Sequence, residues 1–376
     1  MNERSSAMPV EEPSIDAVTA AAFTIPTDQP EADGTAVWSS TTIVVVHAVA
    51  GNITGLGWTY GAAAGARLVR DVLADAVVGR CAFDVTAAYE AMWRTVRNIG
   101  RPGIASTSIS AVDTALWDLK ARLLDIRLSR LLGVAHEAVP VYGSGGFTTY
   151  DERQLTEQLK GWIEDFDVRS VKIKIGQDRG ACTDRDVDRM RQAREVIGPA
   201  IELFVDANGA YSVKQAMRIA ERTGDLDVRW FEEPVSSDNL GGLRRVRDAV
   251  AAEVTAGEYG YGLSYFQRMC AAGAVDCLQA DVTRCGGVTE FQRVAAVAAA
   301  YDLDVSGHCA PNLHLDVAAT VPNLRHLEYF HDHARIETLL FDGATSPVRG
   351  AMSPDLSAPG NGLTFRAADA EHYRVA

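Results

Sequence analysis

The stretch Arg169–Gly176, "RSVKIKIG", is typical of a short β-strand and carries two lysines two residues apart. Side chains two apart on a strand point to the same face, so the ammonium groups of Lys172 and Lys174 should point the same way. If that face lines a closed site, burial and mutual repulsion lower the pKa of these amines, and one of them becomes a base near neutral pH. An edge strand with two solvated lysines is the alternative that the pair by itself leaves open.

A series of acids and one histidine follows this strand, and each stands at the end of a short apolar run. These residues are Asp206, Glu232, Glu258, Asp281, His308 and Glu328. Successive members are 26, 26, 23, 27 and 20 positions apart, which is the length of one strand, one helix and their two loops. Functional residues at the ends of consecutive parallel strands are the expected arrangement of a (β/α) barrel site.

This set of residues resembles the pattern of the enolase superfamily, specifically its mandelate racemase subgroup, the mandelate racemase/muconate lactonizing enzyme family. The lysine strand, the acids and the histidine match that pattern in type, order and spacing. The stretches "VDANGAY", "FEEP", "RCGGVTE" and "GHCAPNLH" around them are similar too. The resemblance covers about residues 15 to 365. It implies an α/β fold, namely a modified TIM barrel of the (β/α)7β type with an α+β N-terminal capping domain.

Three regions are expected along the chain. Residues 1–138 form the capping domain, with 1–13 disordered, residues 139–343 form the barrel, and residues 344–376 return to pack on both. In the cap, the stretches "IDAVTAAAF", "TTIVVVHAVAG" and "NITGLGWTYG" predict a β-meander. The segment "TIPTDQPEADGTAVWSS" between the first two predicts a loop too long for a tight hairpin. The resemblance implies that this loop is a lid over the barrel mouth.

A magnesium site is predicted at the three acids Asp206, Glu232 and Glu258. Carboxylates on adjacent strand ends form a hard oxygen cage, and Mg²⁺ takes few carboxylates while keeping positions for water or substrate. Asn208, two residues beyond Asp206, is expected to contact the substrate or a metal-bound water. One Mg²⁺ per chain is therefore the expected cofactor.

The resemblance also implies roles for the remaining residues. Lys172 would bind a substrate carboxylate and Lys174 would be a base. His308 would address the substrate from the opposite side, while Asp281 fixes its tautomer and raises its pKa. Glu328 could donate a hydrogen bond to an enediolate if it were protonated, and a buried site with other carboxylates favours that form.

These roles imply Mg-dependent abstraction of the α-proton of a hydroxy carboxylate. The lid segment carries Asp28, Gln29, Glu31 and Asp33, and a polar lid favours an acid-sugar dehydratase that forms a 2-keto-3-deoxy acid. A racemase or epimerase of a 2-hydroxy acid is the alternative. A non-catalytic paralogue on the same barrel is a further one, since a fold does not fix a function.

Composition narrows the expected partners. The 376 residues carry a net charge of −14, which argues against nucleic acid or an anionic membrane as a partner. A small anionic hydroxy acid is expected as substrate, with a homo-oligomer as the assembly. The six cysteines form no C-x-x-C pair and there is no apolar leader or membrane-length apolar run, which predicts a cytoplasmic protein. Cys285 and Cys309 are expected to be packing residues rather than nucleophiles.

Overall fold

The computed structural model describes residues 12–376, so most of the tail expected to be disordered lies outside the described residues. The cap begins with a three-stranded antiparallel sheet in the order β1 (Ala17–Ala32), β2 (Val37–Ala50) and β3 (Ile53–Tyr60). The predicted β-meander is confirmed. The helices of the cap follow: α1 (Ala64–Leu68), a π-helical turn (Val69–Leu73), α2 (Ala74–Val77), α3 (Val85–Thr95), α4 (Ile104–Leu123) and α5 (Leu128–Leu132).

The segment expected to be a long loop is instead the outer part of the β1–β2 hairpin. Pro26 still pairs with Ser40, and Glu31 pairs with Trp38 after a shift of register between the two pairs. Proline has no backbone N–H to donate to a neighbouring strand and is therefore found at such irregularities. This explains why a segment that contains prolines can still extend the hairpin. The prediction of an open loop was wrong because pairing resumes beyond the irregularity.

The hairpin closes in a short turn that lies on the barrel. The Asp33 side chain accepts hydrogen bonds from the backbone N–H groups of Thr35 and Ala36, at 2.6 and 2.7 Å, and so stabilises the turn. Gly34 is packed so closely that a Cβ there would lie 2.6 Å from the carbonyl oxygen of Ala207. The tip of the cap therefore sits next to Asp206, at the end of a barrel strand.

Eight parallel strands form the barrel, which closes by pairing of the last strand with the first. The strands are β4 (Val139–Gly145), β5 (Ser170–Lys174), β6 (Glu202–Asp206), β7 (Val228–Glu232), β8 (Glu253–Ala256), β9 (Cys277–Ala280), β10 (Asp304–Gly307) and β11 (Leu324–Phe330). The helices among and after them are α6 (Glu152–Phe166), α7 (Gln177–Gly180), α8 (Thr183–Ile197), α9 (Val213–Arg222), α10 (Leu240–Arg247), α11 (Leu263–Ala271), α12 (Gly287–Ala299), α13 (Pro311–Ala318) and α14 (His331–Leu340). The predicted fold, a modified TIM barrel with an α+β cap, is confirmed.

The C-terminal stretch contacts both parts of the molecule. It contains short strands β13 (Ala351–Met352) and β14 (Thr364–Phe365), of which β13 pairs with β4 and β14 with β12 (Phe341–Asp342). It ends with α15 (Ala367–Ala370). The boundaries drawn at 138/139 and 343/344 stay a prediction.

A layer of large rings fills the barrel interior beside the lysine strand. Tyr142, Phe204, Trp230 and His326 are all buried, and the rings of Phe204 and Trp230 stack at 5.4 Å. The Lys172 ammonium lies 5.4 Å from the centre of the Tyr142 ring. This layer forms the floor of the space into which both lysines point. Across residues 12–376, no helix has the length and apolar character needed to span a bilayer.

Gly257, between β8 and the predicted metal ligand Glu258, provides a test of this packing. Its φ is +140°, and a Cβ there would lie 1.9 Å from the carbonyl oxygen of Gln279. We expect Gly257→Ala to lower the free energy of unfolding by at least about 2 kcal/mol. Gly241→Ala on the exposed face of α10 is the control, since nothing lies within 4 Å of its Cβ position, and it should raise that free energy by about 0.4 to 1 kcal/mol. Equal denaturant midpoints for the two variants would contradict the account.

Candidate active site

Both lysines of β5 point into the barrel. The side chains of Lys172 and Lys174 are buried. Val171, before the first lysine, and Ile173, between the two, belong to the main hydrophobic core. The alternation of a strand thus sends the two ammonium groups to one face and the aliphatic groups to the other. The edge-strand alternative is excluded by this burial.

The three predicted metal ligands converge at the carboxyl end of the barrel. Asp206 ends β6, Glu232 ends β7 and Glu258 lies two residues beyond β8. Each is buried, and one oxygen from each lies within 4.8 Å of the others. Glu258 Oε2 is buried and accepts no well-aligned hydrogen bond within residues 12–376, although His308 Nε2 lies 3.3 Å away. An all-oxygen cage of this kind fits Mg²⁺.

Asn208 lies beside this cage. Its backbone N–H donates to Asp206 Oδ1 at 2.9 Å, and φ there is +45°. Its side-chain Oδ1 is buried without a hydrogen-bond partner among residues 12–376. The amide is therefore free to contact a ligand, in the position expected of a substrate-binding residue.

Each lysine is bound by carboxylates. Lys172 Nζ donates to both oxygens of Glu232 at 2.7 Å, and Lys174 Nζ donates to Asp206 Oδ2 at 2.5 Å. Burial lowers the pKa of Lys174, but Asp206 outweighs burial and the repulsion from Lys172, so that pKa is raised above its ordinary value. The pKa of Lys172 is raised well above its ordinary value in the same way, chiefly by Glu232 against the effect of burial. The expected lowering was wrong, because the attraction of the carboxylates outweighs burial and the repulsion between the two amines.

The expected pair of Asp281 and His308 is present. Each follows a strand end, β9 and β10 respectively, and His308 Nδ1 lies 2.8 Å from Asp281 Oδ2. Burial lowers the pKa of His308, but Cys309, Glu258, Glu328 and the bond to Asp281 outweigh it and hold that pKa well above its ordinary value. The predicted direction is confirmed. Nε2 of the ring faces Glu258 Oε2 at 3.3 Å and Glu328 Oε2 at 3.7 Å.

Glu328 lies between the two halves of the site. It is 2.8 Å from Lys172 Nζ, and it accepts hydrogen bonds from Ser144 Oγ at 2.5 Å and from the backbone N–H of Cys309 at 3.0 Å. Burial raises its pKa, but Lys172, His308 and Lys174 outweigh burial and lower that pKa below its ordinary value. The expected neutral form is therefore not the form this charge arrangement favours.

Two residues at the site escaped sequence reasoning. Arg284 Nη1 lies 3.2 Å from Glu258 Oε1, and its Nε lies 3.4 Å from Asp281 Oδ2, so one guanidinium connects the metal cage to the histidine pair. Its position in "DVTRCGG", three residues after Asp281, is the signal that could have indicated it. Trp230 Nε1 donates to Glu232 Oε2 at 3.0 Å, and its position two residues earlier on the same strand predicts a shared face.

The roof of the site comes from the β1–β2 hairpin. Trp38 packs edge-on against Phe147 with ring centres 5.7 Å apart, and its Nε1 donates to the buried Glu31 at 2.7 Å. Burial, followed by Asp332, raises the pKa of Glu31 to about 8, which favours a neutral carboxyl. Three other polar residues of the hairpin have partners of their own: Asp28 pairs with His331, Gln29 bonds to Gln154, and Asp33 accepts hydrogen bonds within the turn.

Comparison with known proteins places this geometry in a family. Residues 19–133 match the model of the mandelate racemase/muconate lactonizing enzyme N-terminal domain, and residues 154–370 match the enolase C-terminal domain-like model. A 3,6-anhydro-alpha-L-galactonate cycloisomerase of Streptomyces coelicolor is 32% identical over 320 residues, 83% of this chain and 85% of that protein. An L-talarate/galactarate dehydratase of Salmonella typhimurium is 28% identical over 73% of this chain and 69% of that protein.

Solved structures agree with these sequence matches. A mandelate racemase/muconate lactonizing enzyme-like protein from Rubrobacter xylanophilus is 44% identical, with a TM-score of 0.93 over 96% of this chain and 100% of that one. A racemase from Streptomyces coelicolor A3(2), solved with bound magnesium, is 29% identical, with a TM-score of 0.90 over 96% of this chain and 100% of that one. The chain belongs to the mandelate racemase/muconate lactonizing enzyme family of the enolase superfamily.

Proposed function

We propose that this protein removes the α-proton of a hydroxy carboxylate in a Mg-dependent reaction, as an acid-sugar dehydratase that forms a 2-keto-3-deoxy acid. One observation carries the proposal. Lys174 and His308 come from β5 and β10, on opposite sides of an eight-stranded barrel, and face one buried oxygen cage. A substrate held there has a proton-transfer group on each side.

The lysine strand accounts for the first half of the reaction. Lys172 binds and orients the substrate carboxylate, which takes the place of Glu232 and Glu328 as its partner. Lys174 removes the α-proton once Asp206 no longer holds its ammonium form. Asp206, Glu232 and Glu258 would hold Mg²⁺, whose positive charge stabilises the enediolate oxygens. Asn208 contacts the substrate beside this cage.

The histidine pair accounts for the second half. His308 carries the proton on Nε2 that the departing β-hydroxyl needs, and Asp281 stabilises its charged form through the 2.8 Å bond to Nδ1. Glu328 lies between His308 and Lys172. When Lys172 turns to the substrate, the pKa of Glu328 rises, and the neutral carboxyl can donate a hydrogen bond to the enediolate.

Sugar acids are favoured as substrates by the relatives. The two curated relatives act, by their names, on galactonate-type and aldarate-type acids. A racemase or epimerase is the second candidate, and the observation in its favour is that a proton-transfer group lies on each side of the site.

Two further expectations accompany this proposal. A homo-oligomer and a cytoplasmic location both stay predictions from the sequence. Analytical ultracentrifugation of the purified full chain tests the first, and fractionation of cells that express it tests the second.

The first test concerns the metal. Isothermal titration should show one Mg²⁺ bound per chain, and Glu232→Gln should weaken binding at least ~10-fold because it removes a charged ligand. Glu337→Gln is the matched control. Glu337 is equally buried but accepts hydrogen bonds from Asn312, outside the cage, so its variant should bind Mg²⁺ as the parent does. Unchanged binding by Glu232→Gln would show that the cage is assigned wrongly.

The second test concerns the reaction. We expect the parent protein with Mg²⁺ to convert at least one member of a panel of aldonic and aldaric acids to a product that reacts with semicarbazide. Lys174→Ala should lower that rate at least ~100-fold because the base is lost, whereas Lys160→Ala on the exposed face of α6 should not change it. If no acid of the panel gives a keto product and the protein still exchanges the α-proton of a simple hydroxy acid, the result would favour the epimerase.

The third test concerns the two faces. In D₂O, Lys174→Ala and His308→Asn should each abolish exchange of the α-proton of one configuration and keep exchange of the other, because the two groups lie on opposite sides. Proton NMR of both enantiomers or epimers follows this directly. Identical exchange patterns in the two variants would contradict the arrangement.

A further inference from the structure

Cys309, which the sequence suggests is a packing residue, points its thiol into the site. Its Sγ lies 3.3 Å from His308 Nε2 and 3.4 Å from Glu328 Oε2, and those two atoms are 3.7 Å apart. All three side chains are at most 4% exposed. The backbone at Cys309 has φ +52°, a conformation that costs a residue other than glycine about 1–3 kcal/mol. The fold thus holds a thiol against the two acid–base groups in a strained conformation.

The triangle of these three atoms has the dimensions of one face of a zinc site. Zinc is bound tetrahedrally, with bonds of about 2.0–2.2 Å to nitrogen and oxygen and about 2.3 Å to sulfur. Such bonds separate neighbouring ligand atoms by about 3.3 to 3.6 Å. The observed separations are 3.3, 3.4 and 3.7 Å, so a cation could bind after only small side-chain movements.

The donors also differ in kind from those of the oxygen cage. Thiolate and imidazole prefer zinc and similar cations, whereas carboxylates alone suit magnesium. A thiolate would add a second negative charge to that of Glu328, whose other oxygen lies 2.8 Å from Lys172 Nζ. His308 is already oriented as a ligand, because Asp281 holds its Nδ1 and leaves Nε2 facing Cys309 Sγ at 3.3 Å, Glu258 Oε2 at 3.3 Å and Glu328 Oε2 at 3.7 Å.

We propose that His308 Nε2, Cys309 Sγ and Glu328 Oε2 form a second cation site, adjacent to the oxygen cage and selective for Zn²⁺-like ions. On binding, the thiol and Nε2 of His308 release their protons to solvent, and the cation takes both lone pairs. Occupation removes His308 from proton transfer, so Zn²⁺ inhibits the enzyme. The inhibition rests on the proposed function, whereas the binding site does not.

Co²⁺ is the probe, because a Co²⁺–thiolate bond gives a charge-transfer absorption in the near ultraviolet that oxygen and nitrogen ligands do not give. The full chain is saturated with Mg²⁺, kept reduced with a phosphine and titrated with Co²⁺. We expect the absorption to saturate near one equivalent and to disappear when Zn²⁺ is added. Absence of a thiolate band at stoichiometric Co²⁺ in the parent protein would overturn the proposal.

Matched variants locate the band. Cys309→Ala and Cys309→Ser should each abolish it, and magnesium calorimetry shows whether each variant is folded. Cys285→Ala is the control, because that thiol is equally buried near the end of the neighbouring strand β9 but lies in the hydrophobic core, where its hydrogen bond goes to the carbonyl oxygen of Gly287 at 3.8 Å. Glu232→Gln should keep the band, since Glu232 is not one of the three proposed ligands. A band that survives in either variant of Cys309, or that is lost in Cys285→Ala, would contradict the assignment.

A kinetic measurement separates this proposal from the proposed function. At saturating Mg²⁺, Zn²⁺ should inhibit the parent enzyme at a concentration at least ~10-fold lower than it inhibits Cys309→Ser. A Co²⁺–thiolate band in a protein that turns over no sugar acid would support the cation site and contradict the proposed function. Turnover without a band, or with equal Zn²⁺ sensitivity in both proteins, would remove the site and leave the function.

Discussion

The charge balance at the barrel mouth is the constraint on which the site depends. Two ammonium groups can be buried only where opposite charges replace the water they lose. Four buried carboxylates face them here, from Asp206, Glu232, Glu258 and Glu328, and Arg284 and Asp281 extend the same network to His308. Carboxylates outnumber the cations in this network, which explains why the pKa values of both lysines and of His308 are raised.

The barrel supplies this arrangement through its geometry. Each of the seven strands from β5 to β11 delivers a site residue to the same end, so side chains from seven separate parts of the sequence meet there. The cap completes the enclosure, because the turn at Gly34 packs on Ala207 and Trp38 covers the opening. The charged side chains are therefore held in a buried space, where each interaction is stronger than it would be in solution.

The residue set and the barrel were predictable because both follow from spacing. The step of 20 to 27 residues from Asp206 to Glu328 places one side chain per βα unit, and no packing detail is needed for that. The protonation states were not predictable. They depend on which charges surround each group. The ammonium group of Lys174 is bound by Asp206, which lies 32 residues further along the chain. The contact of Cys309 with His308 was not predictable for a related reason, since it depends on a left-handed backbone that no pattern of apolar residues indicates.

The ring layer beneath the lysines has a consequence for the fate of protons. Tyr142, Phe204 and Trp230 close the barrel from below, and burial lowers the pKa of His326 among them to about 3, so this histidine stays neutral. Exchange of hydrons with bulk water is then expected at the mouth of the barrel, beside the β1–β2 hairpin. A hydron taken from the substrate would stay with the enzyme for as long as the hairpin is closed. Isotope washout would then report the opening of the cap as well as the chemistry.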